Sequence, residues 1–301
     1  MSIVVPRRKE QIVKPNWLKV KAPGSPEYLK TRETVKTHKL VTVCEEAMCP
    51  NIGECWTHRT ATFMIMGELC TRRCNFCNVK DGDDSNLEPL DPFEPVRVAS
   101  AIKKLGLKHA VVTSVDRDDQ PDYGANHFAQ TARAIKSQNP DCRIEFLIPD
   151  MNGSKDALAI IMQEHIEVLN HNVETVPRLY RKVRPKAGYV RSLSILSWAK
   201  ELAPQTLTKS GIMVGLGETK EEVFALMDDL RAVGVDIMTI GQYLRPSDKQ
   251  MPVKFFVTPE EFKEYEVVGK EKGFKFIESG PMVRSSYHAW KHSVEKPYAT
   301  N

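Results

Sequence analysis

The chain has 301 residues, of which 41% are hydrophobic and 27% charged, with a formal net charge of +4. That composition excludes a disordered chain and leaves length for one large domain or two small ones. The charge is too small to argue for nucleic acid, and no apolar run reaches the roughly 18 residues of a membrane span.

Met1 to Glu10 lacks the apolar core of a secretory signal and the Ser- and Arg-rich pattern of a transit peptide. A cytoplasmic setting is expected, or an organelle matrix if a transit peptide is missing from this sequence. Residues 1–40 are basic, with Arg7, Arg8, Lys9, Lys14, Lys19, Lys21, Lys30, Arg32, Lys36 and Lys39 against Glu10, Glu27 and Glu33. Dotted with prolines, they read as an extended arm wrapping a body, anchored by Trp17 and Leu18. A solvated arm is the plainer reading, and a docking strip for an acidic protein is the sharper one. A loop-rich stretch, 44–58, then carries Cys44, Cys49 and Cys55.

From residue 62 strands and helices alternate. Thr62–Met66 is an apolar run closed by Gly67, hence a buried strand. Helical spacing follows over 95–105, closed by Gly106. Next come a strand at 110–113, a helix at 125–137, a strand at 144–148 and a helix at 156–163. A strand at 166–169 leads into Asn170-His171-Asn172, then helices at 176–183 and 192–202. Residues 207–214 form a strand ending in Gly215-Leu216-Gly217-Glu218. The pattern closes with a helix at 221–232, a strand at 235–240, a helix at 260–272 and a strand at 274–277. This is an α/β fold with a mainly parallel sheet. Six βα units are fewer than the eight of a closed barrel, and spacing alone does not separate a partial barrel from a doubly wound sheet. Polar clusters recur just after strands: Cys70–Cys77, Ser114–Asp119, Pro149-Asp150, Asn170–Asn172, Gly215–Glu218 and Gln242-Tyr243. In parallel α/β folds such positions converge on one face, where active sites sit. Loops are polar in any case, but the Asn-His-Asn triplet and the Asp116-Arg117-Asp118-Asp119 run hold more hydrogen-bonding groups than turns need.

Six of the seven cysteines fall into two trios, Cys44/Cys49/Cys55 as C-x4-C-x5-C and Cys70/Cys74/Cys77 as C-x3-C-x2-C. An odd count in a long chain without a secretory signal argues against disulfides. Structural zinc wants four ligands, commonly on two C-x2-C hooks, and there is one hook here. A thioredoxin-like pair at Cys74 and Cys77 leaves four thiols unexplained. Three thiolates on a loop suit a cubane iron–sulfur cluster with one iron left open for coordination. Cys142, alone in an apolar run, reads as a small core residue.

The C-x3-C-x2-C spacing, the aromatic Phe76 and the place after the first strand resemble the radical S-adenosylmethionine superfamily. The upstream trio narrows the likeness. Cys44 to Cys55 resembles the auxiliary-cluster motif of the lipoyl synthase family. So do Ala61–Met64, Thr71-Arg72-Arg73, Thr113–Asp119, Asn170-His171-Asn172, Ser210–Glu218, Gly241–Leu244 and Arg284-Ser285-Ser286-Tyr287-His288. The resemblance runs from about residue 40 to 290.

It implies a partial (β/α)6 barrel at 61–280. A basic arm with the auxiliary loop would occupy 1–60, and a segment at 281–301 would close on the second cluster. It implies two [4Fe-4S] clusters and S-adenosylmethionine as cofactors. Cys70, Cys74 and Cys77 would hold the cluster that cleaves S-adenosylmethionine. Cys44, Cys49 and Cys55 would hold the other with Ser286, or failing that Ser285. Gly124 would contact the cofactor, although Tyr123 stands where many relatives have a second glycine. Glu145, Asn170, Asn172 and Glu174 would hold its polar groups, with buried structural hydrogen bonding as the plainer role for each. Arg284 would donate to the cluster or be a surface charge. The implied reaction inserts two sulfur atoms at C6 and C8 of an octanoyl chain on a carrier lysine. The auxiliary cluster would be consumed as sulfur donor and two S-adenosylmethionine molecules spent. Implied partners are octanoylated lipoyl carrier domains (2-oxoacid dehydrogenase E2 subunits and the glycine cleavage H protein), an electron donor such as ferredoxin or flavodoxin, and a cluster-repair carrier. The rival readings are a methylthiotransferase, which usually adds a basic nucleic-acid module, a ferredoxin-like carrier, which would not need the α/β body, and a zinc-stabilised binding module.

Overall fold

In the computed structural model, residues 13–20, 23–58, 61–83, 85–287 and 289 are described. Of the basic arm Arg7, Arg8, Lys9 and Lys21 lie outside them, as do His288 and the residues after Ala289. The stretch expected as an extended arm contains a helix, α1 (Pro26–Thr37). Ser25 accepts a hydrogen bond from Tyr28 N, and proline sits at the first helical position, two standard start signals. Of the two expected anchors, Leu18 is buried while Trp17 stays 44% exposed.

β1 (Val41–Thr42) and the short helices α2 (Val43–Glu46) and α3 (Ile52–Thr57) follow. Cys44 and Cys55 thus ride on two short helices, with Cys49 in the turn between them. α1 packs over α3, with Tyr28 stacked on Trp56 at 5.3 Å between ring centroids. Thr31 Oγ1 donates to the Trp56 carbonyl at 2.9 Å.

The body begins with β2 (Thr62–Ile65), then a small parallel pair, β3 (Leu69–Cys70) and β4 (Lys80–Asp81). Next come α4 (Glu94–Leu105), β5 (His109–Ser114), α5 (Ala125–Gln138), β6 (Arg143–Leu147) and α6 (Lys155–Met162). β7 (Val168–Asn170) leads through a 3-10 turn to α7 (Tyr180–Val183) and α8 (Tyr189–Leu202). The chain ends in β8 (Leu207–Val214), α9 (Lys220–Ala232), β9 (Ile237–Gln242), α10 (Pro259–Glu271) and β10 (Phe276–Gly280). The main sheet runs β1-β2-β5-β6-β7-β8-β9-β10. Only β1 is antiparallel to its neighbour. Among the described residues β10 pairs only with β9, so the ring stays open: six βα units and a seventh parallel strand.

Three strands, β7, β9 and β10, start two residues later than the apolar pattern predicts, and for β9 and β10 the cause is the same. Val235 N bonds to Leu230 O, and Phe274 N to Gly269 O. Each closes the helix before it, around Gly234 or Gly273 at positive φ. The apolar residue after such a glycine packs back on its helix and does not join the ladder. The helix expected at 176–183 is reduced to the turn at Pro177–Leu179 and the four residues of α7.

Alternation sorts each strand into two faces. Ala110, Val112, Ile144, Phe146 and Leu169 join the apolar core under α4, α5 and α6. Ile212, Val214, Met238 and Ile240 join a second core beneath α9 and α10. Cys142 is buried in the first of these cores, as its sequence setting predicts. The opposite face lines the barrel interior and includes Val111, Thr113, Glu145, Asn170, Lys209, Gly211 and Gly241. This interior is polar, unlike the filled core of a closed barrel.

Candidate active site

The chain leaves β2 through Met66 and Gly67, both at positive φ. Glu94 Oε2 holds that turn, accepting from Met66 N at 2.8 Å and meeting His127 Nε2 at 2.7 Å. β3, which ends in Cys70, and β4 then form a neck for the loop between them, which carries Cys74 and Cys77. Arg72 fastens the loop from within. Its side chain, 3% exposed, forms a two-pronged pair with Asp118 at 2.8 Å. It also pairs with Asp150, fully buried, at 2.6 Å and lies 3.2 Å from Asp116. Asp116 and Asp118 follow β5, and Asp150 follows β6, so one guanidinium ties the cysteine loop to two strand ends. Asn75 reaches across to α7, donating from Nδ2 to the Lys182 carbonyl at 2.7 Å. Gln250 donates to the Cys77 carbonyl at 3.0 Å.

Burial pushes the Cys70 thiol up to about 12, reinforced by the Asp116 carboxylate. Cys74 also rises to about 12 through burial, although the Arg184 guanidinium opposes it, and burial raises Cys77. In the first trio, burial and then Cys49 push Cys44 up to about 11, and burial raises Cys49 and Cys55. Uncompensated thiolates are therefore unfavourable in both trios. A cationic iron centre supplies the missing compensation, so the donor set fits iron–sulfur ligation.

The carboxy-terminal segment lies against the first trio. Asn51 Nδ2 donates to the Met282 carbonyl at 2.7 Å, and Tyr287 OH donates to Glu54 Oε1 at 3.1 Å. The Arg284 guanidinium feels the Cys49 thiol. Ser285 and Ser286 sit in the turn closed by Tyr287 N on the Arg284 carbonyl, at 2.9 Å. The segments that carry the two trios are also joined, because Asn78 donates to the Glu46 carbonyl at 2.9 Å.

Four expected cofactor contacts line the mouth of the barrel. Asn170 ends β7, and Asn172 donates to Glu174 at 3.0 Å. Glu174 has positive φ and bridges to Ile212 beside β8, and burial raises its pKa. Gly124 begins α5 at φ +82, where a Cβ would strike the Met66 side chain. Glu145 lies deeper, with both carboxylate oxygens engaged by protein donors. Several buried polar atoms near the strand ends have no hydrogen-bond partner among the described residues: Ser114 Oγ, Asn170 Oδ1, Asn172 Oδ1 and Arg184 Nε. Such orphans are rare in native interiors, and here they fit a polar ligand such as S-adenosylmethionine.

Other polar clusters after strands serve the fold. The His171 ring bridges the Ile148 carbonyl and Ser192 Oγ, each at 2.9 Å, facing away from the lumen. Burial, then Arg184, push its pKa down to about 4. Glu218 accepts from Leu216 N at 3.0 Å and also from Gly215 N, while Gln242 laces Val214, Phe255 and Val257 together. Sequence reasoning missed Arg184 and Lys209, and gave no partner to Asp150 in its polar cluster or to Arg72 in its motif. Arg72 had a usable signal, since it lies inside the cysteine motif. Arg184 had none, because only the fold brings it over Tyr180 and against the Asn172 carbonyl at 2.8 Å.

A cysteine loop after the first strand of an open parallel barrel, with orphaned polar atoms at the strand ends, defines the class. Residues 64–230 match the model of the radical SAM superfamily, so the chain is an enzyme of that class. Its fold is similar to methylornithine synthase, with TM-score 0.53 and 16% identity over 74% of this chain and 72% of the other. It is also similar to HydG, a maturase of the [FeFe]-hydrogenase, with TM-score 0.57 and 16% identity over 83% and 62%. At 55% identity the chain matches the lipoyl synthase of Rubrobacter xylanophilus over 94% of its own length and 87% of the relative. The chain belongs to the lipoyl synthase family. The family's activity is radical-based sulfur insertion into octanoylated carrier proteins, with a [4Fe-4S] cluster and S-adenosylmethionine.

Proposed function

We propose that the two trios divide the work of sulfur insertion at C6 and C8 of a protein-bound octanoyl-lysine. Cys70, Cys74 and Cys77 hold the cluster that cleaves S-adenosylmethionine. Cys44, Cys49 and Cys55 hold a second [4Fe-4S] cluster, completed by Ser286 with Ser285 as the fallback, and this cluster is the sulfur donor. A serine oxygen is a harder ligand than thiolate, which suits an iron that must leave when the cluster is consumed. The observation that carries this reading is the pair of bonds from Asn51 to the Met282 carbonyl and from the Tyr287 hydroxyl to Glu54, which join the serine-bearing segment to the stretch that carries the first trio.

Gly124, Asn170, Asn172 and Glu174 hold S-adenosylmethionine at the barrel mouth, with Glu145 beneath them. When bound, the cluster and cofactor supply the radical that removes hydrogen from carbon. The chain's residues hold the cysteine loop, orient the cofactor and cover the second centre. The working units are 1–60, 61–280 and 281–301. The octanoyl chain is presented by lipoyl domains of 2-oxoacid dehydrogenase E2 subunits or by the glycine cleavage H protein. A ferredoxin or flavodoxin supplies electrons, and a separate carrier rebuilds the spent cluster, in the cytoplasm. Among the described residues no helix is long and apolar enough to cross a membrane.

The test is anaerobic incubation of reconstituted protein with reductant, S-adenosylmethionine and an octanoyl-lysyl peptide. Mass spectrometry is expected to show two sulfurs gained. Deoxyadenosine without a mass change on the peptide would overturn the substrate assignment. Zinc without sulfide would overturn both clusters.

A further inference from the structure

Two opposite charges sit inside the barrel without a part in the chemistry above. Glu145 and Lys209 are both fully buried, and Lys209 Nζ donates to Glu145 Oε1 at 2.9 Å. His109 Nε2 lies 3.4 Å from the other carboxylate oxygen. A buried ion pair is weak ground for stability, since desolvation offsets the attraction. Its neighbour points to a different use.

Glu145 Oε1 also accepts from Asn170 Nδ2 at 3.0 Å. Burial alone would raise the Glu145 pKa, but Lys209, helped by His109, holds it down at about 2. The carboxyl is therefore ionised and can only accept hydrogen bonds. Asn170 must turn its amide NH2 towards Glu145, and its carbonyl oxygen must turn away. That oxygen, Oδ1, is buried without a partner among the described residues. Asn170 ends β7, on the face where the cysteine loop lies.

We propose that Lys209 and Glu145 are positioning residues. Together they fix the Asn170 amide so that its carbonyl accepts a hydrogen bond from a hydroxyl or amino group of S-adenosylmethionine. The proposal rests on the cofactor binding at the barrel mouth. A neutral residue at 145 would leave the Asn170 amide free to turn over, because a neutral amide both donates and accepts. Glu145 then acts on the cofactor through Asn170 and not by contact.

The test compares the reconstituted parent with the charge-free double variant Glu145→Gln/Lys209→Met and with Asn170→Ala, which keeps the ion pair. Equilibrium binding of S-adenosylmethionine is measured beside iron content and melting temperature. Both variants are expected to bind S-adenosylmethionine about tenfold more weakly, with parental iron content. A merely structural pair would move the melting temperature and leave affinity alone. If Asn170→Ala binds within twofold of the parent, the proposal is overturned whatever the double variant does. The same holds if the double variant folds and binds like the parent. If the double variant does not fold, the charge-free pair Glu145→Gln/Lys209→Gln, which keeps polar groups at both positions, is measured by the same criterion. A parent that binds no S-adenosylmethionine would overturn the cofactor site itself, a result distinct from unchanged variants beside a binding parent.

Discussion

Asn51 Nδ2 donates to the Met282 carbonyl at 2.7 Å across 231 positions of sequence. Asn51 is buried between Cys49 and Cys55, so this bond holds the carboxy-terminal segment against the first trio. Asn51→Leu removes the donor and leaves the Met282 carbonyl without its partner, at a cost of about 1–3 kcal/mol. Product formation is expected to fall at least tenfold while deoxyadenosine release persists. Quantifying both products in one anaerobic assay checks it, and equal loss of the two would refute it.

Ser286→Ala makes a sharper version of the same split. Cleavage of S-adenosylmethionine is expected to survive and sulfur insertion to collapse. Full product formation would transfer the ligand role to Ser285, to be tested with Ser285→Ala.

Gly241 lies beneath the same segment. A Cβ added there meets the Val283 carbonyl and comes within 3.1 Å of Arg284 Nη1. The obstruction is backbone, which cannot swing aside as a flexible side chain can. Gly241→Ala is therefore expected to displace residues 282–287, with the product pattern of Asn51→Leu and a smaller effect on melting temperature than a core cavity. Limited proteolysis should show faster cutting near the carboxy terminus.

Much of this site was legible in the sequence, and its failures have physical causes. The cysteine spacings mark themselves because no other fold feature needs thiols at those intervals. The lumen charges did not: Lys209 stands between Thr208 and Ser210 in the run Leu207–Val214, where it reads as one more polar residue at the start of a strand. Its meaning depends on facing Glu145, 64 positions away, and no local pattern carries that. The late starts of β9 and β10 had a readable sign in Gly234 and Gly273, since a glycine after a helix predicts an apolar residue folded back upon it.

Arg72 anchors the loop of the second trio to two strand ends. Arg72→Ala leaves the fully buried Asp150 without its 2.6 Å partner. Arg191 still pairs with Asp150 at 3.3 Å, so the cost stays below the about 3–5 kcal/mol of a fully broken buried pair, and the melting temperature is expected to fall by roughly 5 °C. Arg72→Lys keeps the charge but not the forked geometry and is expected to fall in between. Iron retention after gel filtration should follow the same order.

Glu145 predicts an acid limb in stability. Lys209 lowers its pKa from the ordinary 4.5 to about 2 against the pull of burial. The unfolded chain therefore binds this proton more readily than the native one. The contribution is complete above the unfolded value, near 4.5, and is lost as pH falls towards 2. Urea midpoints should decline over that window in the parent and decline less in Glu145→Gln/Lys209→Met. Equal slopes would refute the assignment.

The bond between Asn51 and Met282 also imposes an order on biosynthesis. The cysteines at 44, 49 and 55 leave the ribosome well before the segment that covers them. At roughly 5–20 residues per second, translating the 231 positions between them takes on the order of ten to fifty seconds. During that interval the first trio is open to solvent, oxygen and any iron–sulfur donor. Its covering can be completed only after nearly all of the barrel has been made.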